Sequence, residues 1–236
     1  MALYRIADFL WDIESRFDTV PRACDAYRVS EGVADFTVRI SDETLKKEHA
    51  QMPENSLPYT ENICVCRAVC NAASAKGAML LHAATVTVGG KAYAFSAPSG
   101  TGKSTHIRLW KRVYGDAVEI LNGDKPLLRE KDGELIAYGT PWCGKEGWNT
   151  NASAPLRALC FLERGKENAI RKLSSSEALD RVFRQLLKPE DEKGVAQTLR
   201  LADLLIRHVP IYLLACNISE DAARLSYETL TGENNL

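Results

Sequence analysis

Apolar and polar positions fall into three kinds of pattern along the chain, and each predicts a different element. Near the N-terminus apolar residues alternate with polar ones, as in half-buried strands: Tyr4, Ile6, Phe9, Trp11 and Ile13, then Tyr27 and Val29, then Phe36, Val38 and Ile40. Turn clusters such as Val20-Pro21 and Ser30-Glu-Gly32 separate them. The polar stretch from Lys46 to Pro58 holds two prolines and is expected to be a loop, and a helix is expected over 61–75. In the middle of the chain the apolar runs are short and continuous, as in buried strands. Leu80–Val88 and Lys91–Ser96 flank Gly89-Gly90, which predicts an antiparallel hairpin with a two-residue turn of positive φ. Val118–Asn122 and Leu156–Glu163 read as further strands, and 127–129 pairs with 135–138 across the turn at 131–134. Helical spacing dominates elsewhere. Ile107, Trp110 and Tyr114 share a face of a helix over 104–114. A helix entered through Ser175 and Glu177 carries a stripe from Ala178, Leu179, Val182 and Phe183 to Leu186 and Leu187. A further helix covers 191–208, a last core strand 211–216, and a terminal helix runs from near Ser219 to Gly232. The sum is an α/β chain with a mixed sheet: a β-rich subdomain with a bridging helix over 1–75, then a core over 76–236.

One connection carries chemistry. Between the strand ending at Ser96 and the helix starting at Ser104 lies Ala97-Pro-Ser-Gly-Thr-Gly-Lys-Ser-Thr105, which matches G-x-x-x-x-G-K-[ST] at every fixed position but the first, where Ala97 replaces Gly. Glycines at 100 and 102 let successive N–H groups turn toward one anion, and the helix N-terminus adds its partial positive charge. Ser99, Gly100, Thr101, Gly102, Lys103, Ser104 and Thr105 are therefore expected to hold the phosphates of ATP. Lys103 supplies a point charge, and the Ser104 hydroxyl is a ligand for Mg²⁺.

Composition narrows the reading without directing it. Of 236 residues, 45% are hydrophobic and 26% charged, with a net charge of −1. That balance predicts no general affinity for nucleic acid or anionic membranes. No window reaches eighteen uninterrupted apolar residues and the first residues lack a signal peptide's apolar run, so a cytoplasmic location is expected. Seven cysteines at irregular spacing do not make a disulfide framework. Cys64, Cys66 and Cys70 stand at offsets that suit helix packing better than a tetrahedral metal site.

Around the loop three features compete for roles. Asp124 follows a hydrophobic strand directly, where α/β folds present ligand-binding side chains, and is a candidate base and Mg²⁺ ligand. His82 precedes the loop on the hairpin and is placed to hydrogen-bond Asp124, whereas His106 reads as a surface or packing residue. The segment Tyr138–Trp148 carries three glycines with Trp142, Lys145 and Trp148. It reads as a shaped loop with exposed aromatics facing the acceptor, with Trp142 and Lys145 as substrate contacts.

A P-loop entered from an antiparallel hairpin, Leu81-His82 upstream, Asn122-Gly-Asp124 about twenty residues after the lysine, and Tyr138-Gly-Thr-Pro-Trp142 together resemble the HPr kinase/phosphorylase family, whose nucleotide core is shared with phosphoenolpyruvate carboxykinase. The likeness spans about 78–217 and is strongest to short bacterial HPr-kinase-like proteins, some encoded beside peptide-modification genes. It implies that residues 100–105 bind ATP, that Ser104 binds Mg²⁺, and that His82 and Asp124 activate a serine hydroxyl. The chain departs from the family in three places. One of two consecutive aspartates is replaced by Gly123. The metal-holding glutamate has only Glu146 as a counterpart. The first 75 residues do not resemble the family's N-terminal domain, so HPr is not the expected acceptor.

Three functions follow as expectations. The first is an ATP/Mg²⁺-dependent kinase acting on a hydroxyl, serine foremost, of a peptide, protein or small molecule, with Lys103, Asp124 and His82 as catalytic residues. The second is a nucleotide-binding regulator or scaffold with weak catalysis. The third is a carboxykinase-like activity, disfavoured by the short chain and the lack of an arginine cluster. Oligomeric state stays open, a homo-oligomer included.

Overall fold

The computed structural model describes residues 2–232. The chain starts with a hairpin of β1 (Ala2–Ile6) and β2 (Phe9–Ile13), followed by the short helix α1 (Thr19–Ala23), β3 (Arg28–Val29) and β4 (Phe36–Val38). These strands form a small sheet in the order β3-β1-β2-β4. Two helices follow, α2 (Asp42–Gln51) and α3 (Leu57–Ser74), so the N-terminal region holds more helix than strand.

The loop expected over 46–58 is therefore corrected: its first half is helical. Ser41 caps α2 by accepting from the Thr44 amide, and Asp42 and Glu43 sit favourably in the first turn. Among its residues only Leu45 is buried, so no apolar stripe announced the helix. The 61–75 helix starts earlier than expected, at Leu57, with Ser56 as cap. Its cysteines 64, 66 and 70 are buried in the core, and the fully buried Glu61 accepts the Arg16 amide at 3.0 Å and pairs with its guanidinium at 3.1 Å.

The large sheet begins with β5 (Ala78–Leu80), β6 (Ala83–Val88) and β7 (Lys91–Ser96), after which come α4 (Lys103–Tyr114), β8 (Val118–Asn122), β9 (Leu127–Lys131) and β10 (Glu134–Tyr138). It continues with β11 (Ser153–Arg164) and β12 (Ala169–Lys172), then α5 (Ser175–Gln185), α6 (Glu192–His208), β13 (Ile211–Cys216) and α7 (Glu220–Thr231). Strand order is β5-β9-β10-β11-β7-β6-β8, with β13 alongside β11 and β12 alongside β13. The sheet is mixed: β7 runs parallel to β11 and antiparallel to β6. At the β6–β7 turn, Gly89 and Gly90 take φ of 54° and 72°, as a two-residue hairpin turn requires.

Successive residues of β7 point to opposite faces of this sheet. Ala92 and Ala94 face a core shared with Val182 of α5 and Leu201 and Leu205 of α6, while Tyr93 and Phe95 face Ile107 and Trp110 of α4 and Tyr227 of α7. A third cluster joins the N-terminal sheet and α3 to Leu80, Leu127, Tyr138 and Trp142. Burial of one such side chain contributes about 1.5–3 kcal/mol, so helices on both faces hold the sheet rigid beneath the loop that leaves β7.

Two further expectations change. The strand read over 80–88 breaks at Leu81-His82, because β5 pairs with β9 whereas β6 pairs with β7 and β8. The helix read up to Leu187 is capped by Ser174 rather than Ser175, in a reciprocal capping box with Glu177, and ends at Gln185. Leu179 is exposed, and Leu186 instead bridges to Leu81 in an extended conformation. Among the described residues no helix is long and apolar enough to cross a membrane.

Candidate functional site

The connection from β7 to α4 turns through Gly100 at φ 77° and Gly102 at φ 124°. A Cβ at either would meet nothing within 4 Å, so backbone conformation and not space calls for glycine. Arg164, at the end of β11, donates to the Gly100 carbonyl at 2.7 Å and ties the loop to the sheet. Lys103 opens α4 and is buried. Its Nζ donates to the Ala97 carbonyl at 3.0 Å and lies 2.9 Å from His82 Nε2. Burial draws the lysine's pKa below its ordinary value, against the opposing pull of Asp124. Ser104 and Thr105 follow in the first turn, whose amides have no acceptor within the helix.

Asp124 leaves the end of β8 through a local clamp. The buried Asn122 accepts the amides of Asp124 at 2.9 Å and Lys125 at 2.6 Å on its Oδ1, and donates to the Thr140 carbonyl at 2.9 Å. The Asp124 carboxylate meets His82 Nε2 at 3.1 Å through Oδ1 and the Lys125 ammonium through Oδ2. Burial alone would raise its pKa; the hydrogen bonds from His82 and Lys125 outweigh that and hold it at about 2. Lys125 shows the counterpart: burial lowers its pKa, and its bond to Asp124 more than offsets this. At Gly123 a Cβ would lie 2.5 Å from the Cys143 carbonyl oxygen, so this position has no room for a second carboxylate.

His82 sits in the break between β5 and β6. Its amide donates to the Gln185 carbonyl at 2.8 Å, its carbonyl accepts from Ser96 Oγ at 2.7 Å, and its Nδ1 lies 2.8 Å from Gln185 Oε1. The sequence thus points to His82, Lys103 and Asp124, and the fold brings the three together. It gives no sign of Gln185 or Arg164, because nothing local marks a glutamine 103 residues downstream as the partner of a histidine.

The 138–148 segment is corrected in part. Trp142 is not exposed: it packs in the N-terminal cluster and donates Nε1–H to Asn62 at 3.2 Å. Trp148 is half-buried, with the Arg108 guanidinium 5.2 Å from its ring centre. The segment folds over Asp124 because Gly139 and Gly123 permit close backbone approach; a Cβ at Gly139 would lie 1.9 Å from the Thr150 carbonyl oxygen. Lys145 and Glu146 remain exposed on the rim. Between this segment and the glycine loop opens a cleft of about 1000 Å³, whose far wall comes from Arg22 and from Tyr59, Asn62 and Arg67 of α3. His106 does not reach it; its Nε2 bonds Ser226 Oγ at 2.9 Å in the core. Chemically the cleft offers amide donors and ammonium groups to an anion, and an imidazole–carboxylate pair to a proton.

Among solved structures, the Hpr(Ser) kinase/phosphatase from Coxiella burnetii is similar over 65% of this chain and 93% of its own, at 12% identity and a TM-score of 0.36, a likeness too low to carry an argument. No curated protein matches the chain. The family described as SynChlorMet cassette protein ScmC matches residues 51–221, a span that holds the glycine loop, His82, Asp124 and the α3 wall of the cleft, and the chain belongs to that family.

Proposed function

We propose that this protein is an ATP/Mg²⁺-dependent kinase that phosphorylates a hydroxyl, serine foremost, of a peptide, protein or small molecule. The observation that carries the reading is the convergence of Lys103, His82 and Asp124 at the end of a glycine loop, within 2.9 and 3.1 Å contacts of the imidazole. Loop amides and the α4 N-terminus hold phosphate oxygens, and Lys103 shifts from His82 to the phosphates, where it offsets negative charge. Release of the lysine leaves His82 Nε2 facing Asp124 Oδ1, and this pair receives the acceptor's proton as its oxygen attacks phosphorus and the bond to the β-phosphate oxygen breaks. With a pKa of about 2, Asp124 is a weak base alone; its charge supports the imidazole. The Ser104 hydroxyl, half-buried at the cleft, fits as a Mg²⁺ ligand, whereas Asp124 fits only once Lys125 lets go of Oδ2. Bound Mg²⁺ neutralises phosphate charge. Among the described residues no group of three or more His, Cys, Asp or Glu is arranged to hold a metal, so the remaining ligands would be phosphates and water.

The test is thermal stability with and without Mg²⁺·ATP, for the wild type and Lys103→Ala. A ligand at a hundred times its Kd stabilises by about 2.7 kcal/mol, and the gain is expected to vanish in the variant. Equal gains in both would overturn the loop assignment. The second reading, a nucleotide-binding regulator, is favoured by the Lys125–Asp124 pair and by the lack of room for a carboxylate at 123. It predicts the same stabilisation with no transfer of labelled phosphate to serine peptides.

A further inference from the structure

The cleft carries more positive charge than the glycine loop accounts for. Five lysines and arginines line it against two carboxylates, Asp124 and Glu146, in a chain whose net charge is −1. Lys103 stands at the loop and Lys145 on the rim; Lys125, Arg67 and Arg22 stand toward α3 and α1. Contacts fix the order across the site. Lys103 and Asp124 Oδ1 both meet His82 Nε2, Asp124 Oδ2 meets the Lys125 ammonium, and Lys125 in turn has Cys66 and Tyr59 of α3 as electrostatic neighbours. Beyond Asp124, seen from the loop, the next surface is therefore α3.

That helix presents one stripe to the cleft. Tyr59, Asn62, Ile63 and Cys66 recur at helical spacing and line it with Arg67, while Val65, Val69 and Ala73 pack in the N-terminal core. The polar groups of the stripe are donors. Trp142 Nε1–H can only donate, so the Asn62 atom 3.2 Å from it is the carbonyl Oδ1. The Asn62 NH₂ is the end left to the cleft, and it has no acceptor among the described residues. Arg67 uses one guanidinium nitrogen on Glu48 at 2.7 Å, and its side chain stays 39% exposed. Glu48 and Glu190 offset part of its charge, but the stripe itself holds no carboxylate.

We propose that this stripe and Lys125 form the acceptor subsite, and that the acceptor is an acidic peptide whose hydroxyl residue is flanked by carboxylate side chains. The proposal deepens the kinase reading and rests on it. An acceptor that gives its proton to His82 and Asp124 lies beside them, and Lys125 and α3 are the neighbours there. Tyr59 and Arg67 are eight positions apart, about 12 Å along the helix axis, which matches about four residues of extended peptide. A single small carboxylate does not span that length. Asn62 and Arg67 donate to the peptide's carboxylates, and Lys125, already turned to one carboxylate at Asp124, adds its charge.

The experiment is fluorescence anisotropy on the full chain without nucleotide, using labelled serine peptides of one length flanked by glutamate, glutamine or lysine. The glutamate peptide is expected to bind at least about tenfold tighter than the glutamine peptide, and the lysine peptide weakest, with the differences shrinking as salt is raised. Asn62→Asp keeps an acceptor for Trp142 and turns the cleft-facing amide into a carboxylate oxygen. It is expected to weaken the glutamate peptide about tenfold and to leave the stabilisation by Mg²⁺·ATP unchanged. Lys125→Gln, which leaves α3 intact, is expected to reduce the same preference. Equal binding of the three peptides by the wild type, or binding of none, overturns the proposal whatever the variants do. An undiminished glutamate preference in a folded Asn62→Asp protein overturns it as well. Charge-selective binding without transfer of labelled phosphate would support the peptide site and remove the kinase reading; transfer to serine regardless of flanking charge would keep that reading and overturn the acidic acceptor.

Discussion

Two histidines flank the glycine loop, and the fold uses them in opposite ways. His106, in the first turn of α4, is buried against Phe95, with ring centres 4.8 Å apart, and its Nε2 meets Ser226 Oγ, which also accepts from Trp110 Nε1 at 2.8 Å. Burial pushes its pKa down to about 4 and keeps it neutral. His82, across the loop, is half-buried among an ammonium, a carboxylate and an amide. One imidazole has apolar packing and a hydroxyl; the other has charges of both signs within hydrogen-bonding reach. The comparison teaches that burial alone makes a histidine structural, and that a charged neighbour on each side of one ring nitrogen makes it a candidate for chemistry.

The most forceful way to break this contrast is at the carboxylate beside His82. Asp124→Asn keeps the shape and removes the charge, and on the kinase reading it is expected to lower phosphoryl transfer by about 10²–10⁴-fold without loss of fold. Transfer at the wild-type rate, measured with labelled ATP, would show that the charged surroundings of His82 do not serve catalysis.

Acid tests the other histidine. His106 takes up its proton near pH 4 in the folded chain and near its ordinary value of 6.5 when unfolded. Its contribution to stability is therefore complete above pH 6.5 and falls as the pH drops toward 4, by about 1.4 kcal/mol per pH unit. Urea unfolding at pH 7 and pH 4.5 is expected to differ less in His106→Gln than in the wild type; identical pH dependence would refute the role of burial.

A smaller effect sharpens the same point. Ser226→Ala leaves the Trp110 Nε1–H donor and the His106 Nε2 atom facing a methyl group and is expected to cost about 1–3 kcal/mol in urea unfolding, while leaving the stabilisation by Mg²⁺·ATP intact. Loss of that stabilisation in a folded Ser226→Ala protein would mean that the α4–α7 core and the loop are coupled.

Local chemistry made parts of this protein legible from sequence. The Gly89-Gly90 hairpin, the strand–glycine loop–helix over 91–114, and the helix starts near Asp191 and Ser219 depend on residues within a few positions of one another, so their signals survive in a linear string. Helix α2 escaped because its stability rests on a Ser41 cap and an acidic first turn rather than an apolar stripe, and β12, an edge strand of largely exposed residues, carried no alternation to read.

The site divides along the same line. Sequence by itself determined that Lys103 follows a turn needing positive φ, and that Asp124 leaves a strand end. Only the tertiary structure decided that His82 lies between them, that Gln185 holds its far nitrogen, that Trp142 fills a core, and that the Cys143 carbonyl leaves Gly123 no room for a side chain. The reason is distance along the chain. Turn and cap preferences are set by neighbouring residues, whereas these contacts join segments that meet only once the sheet has formed and helices have packed on both its faces.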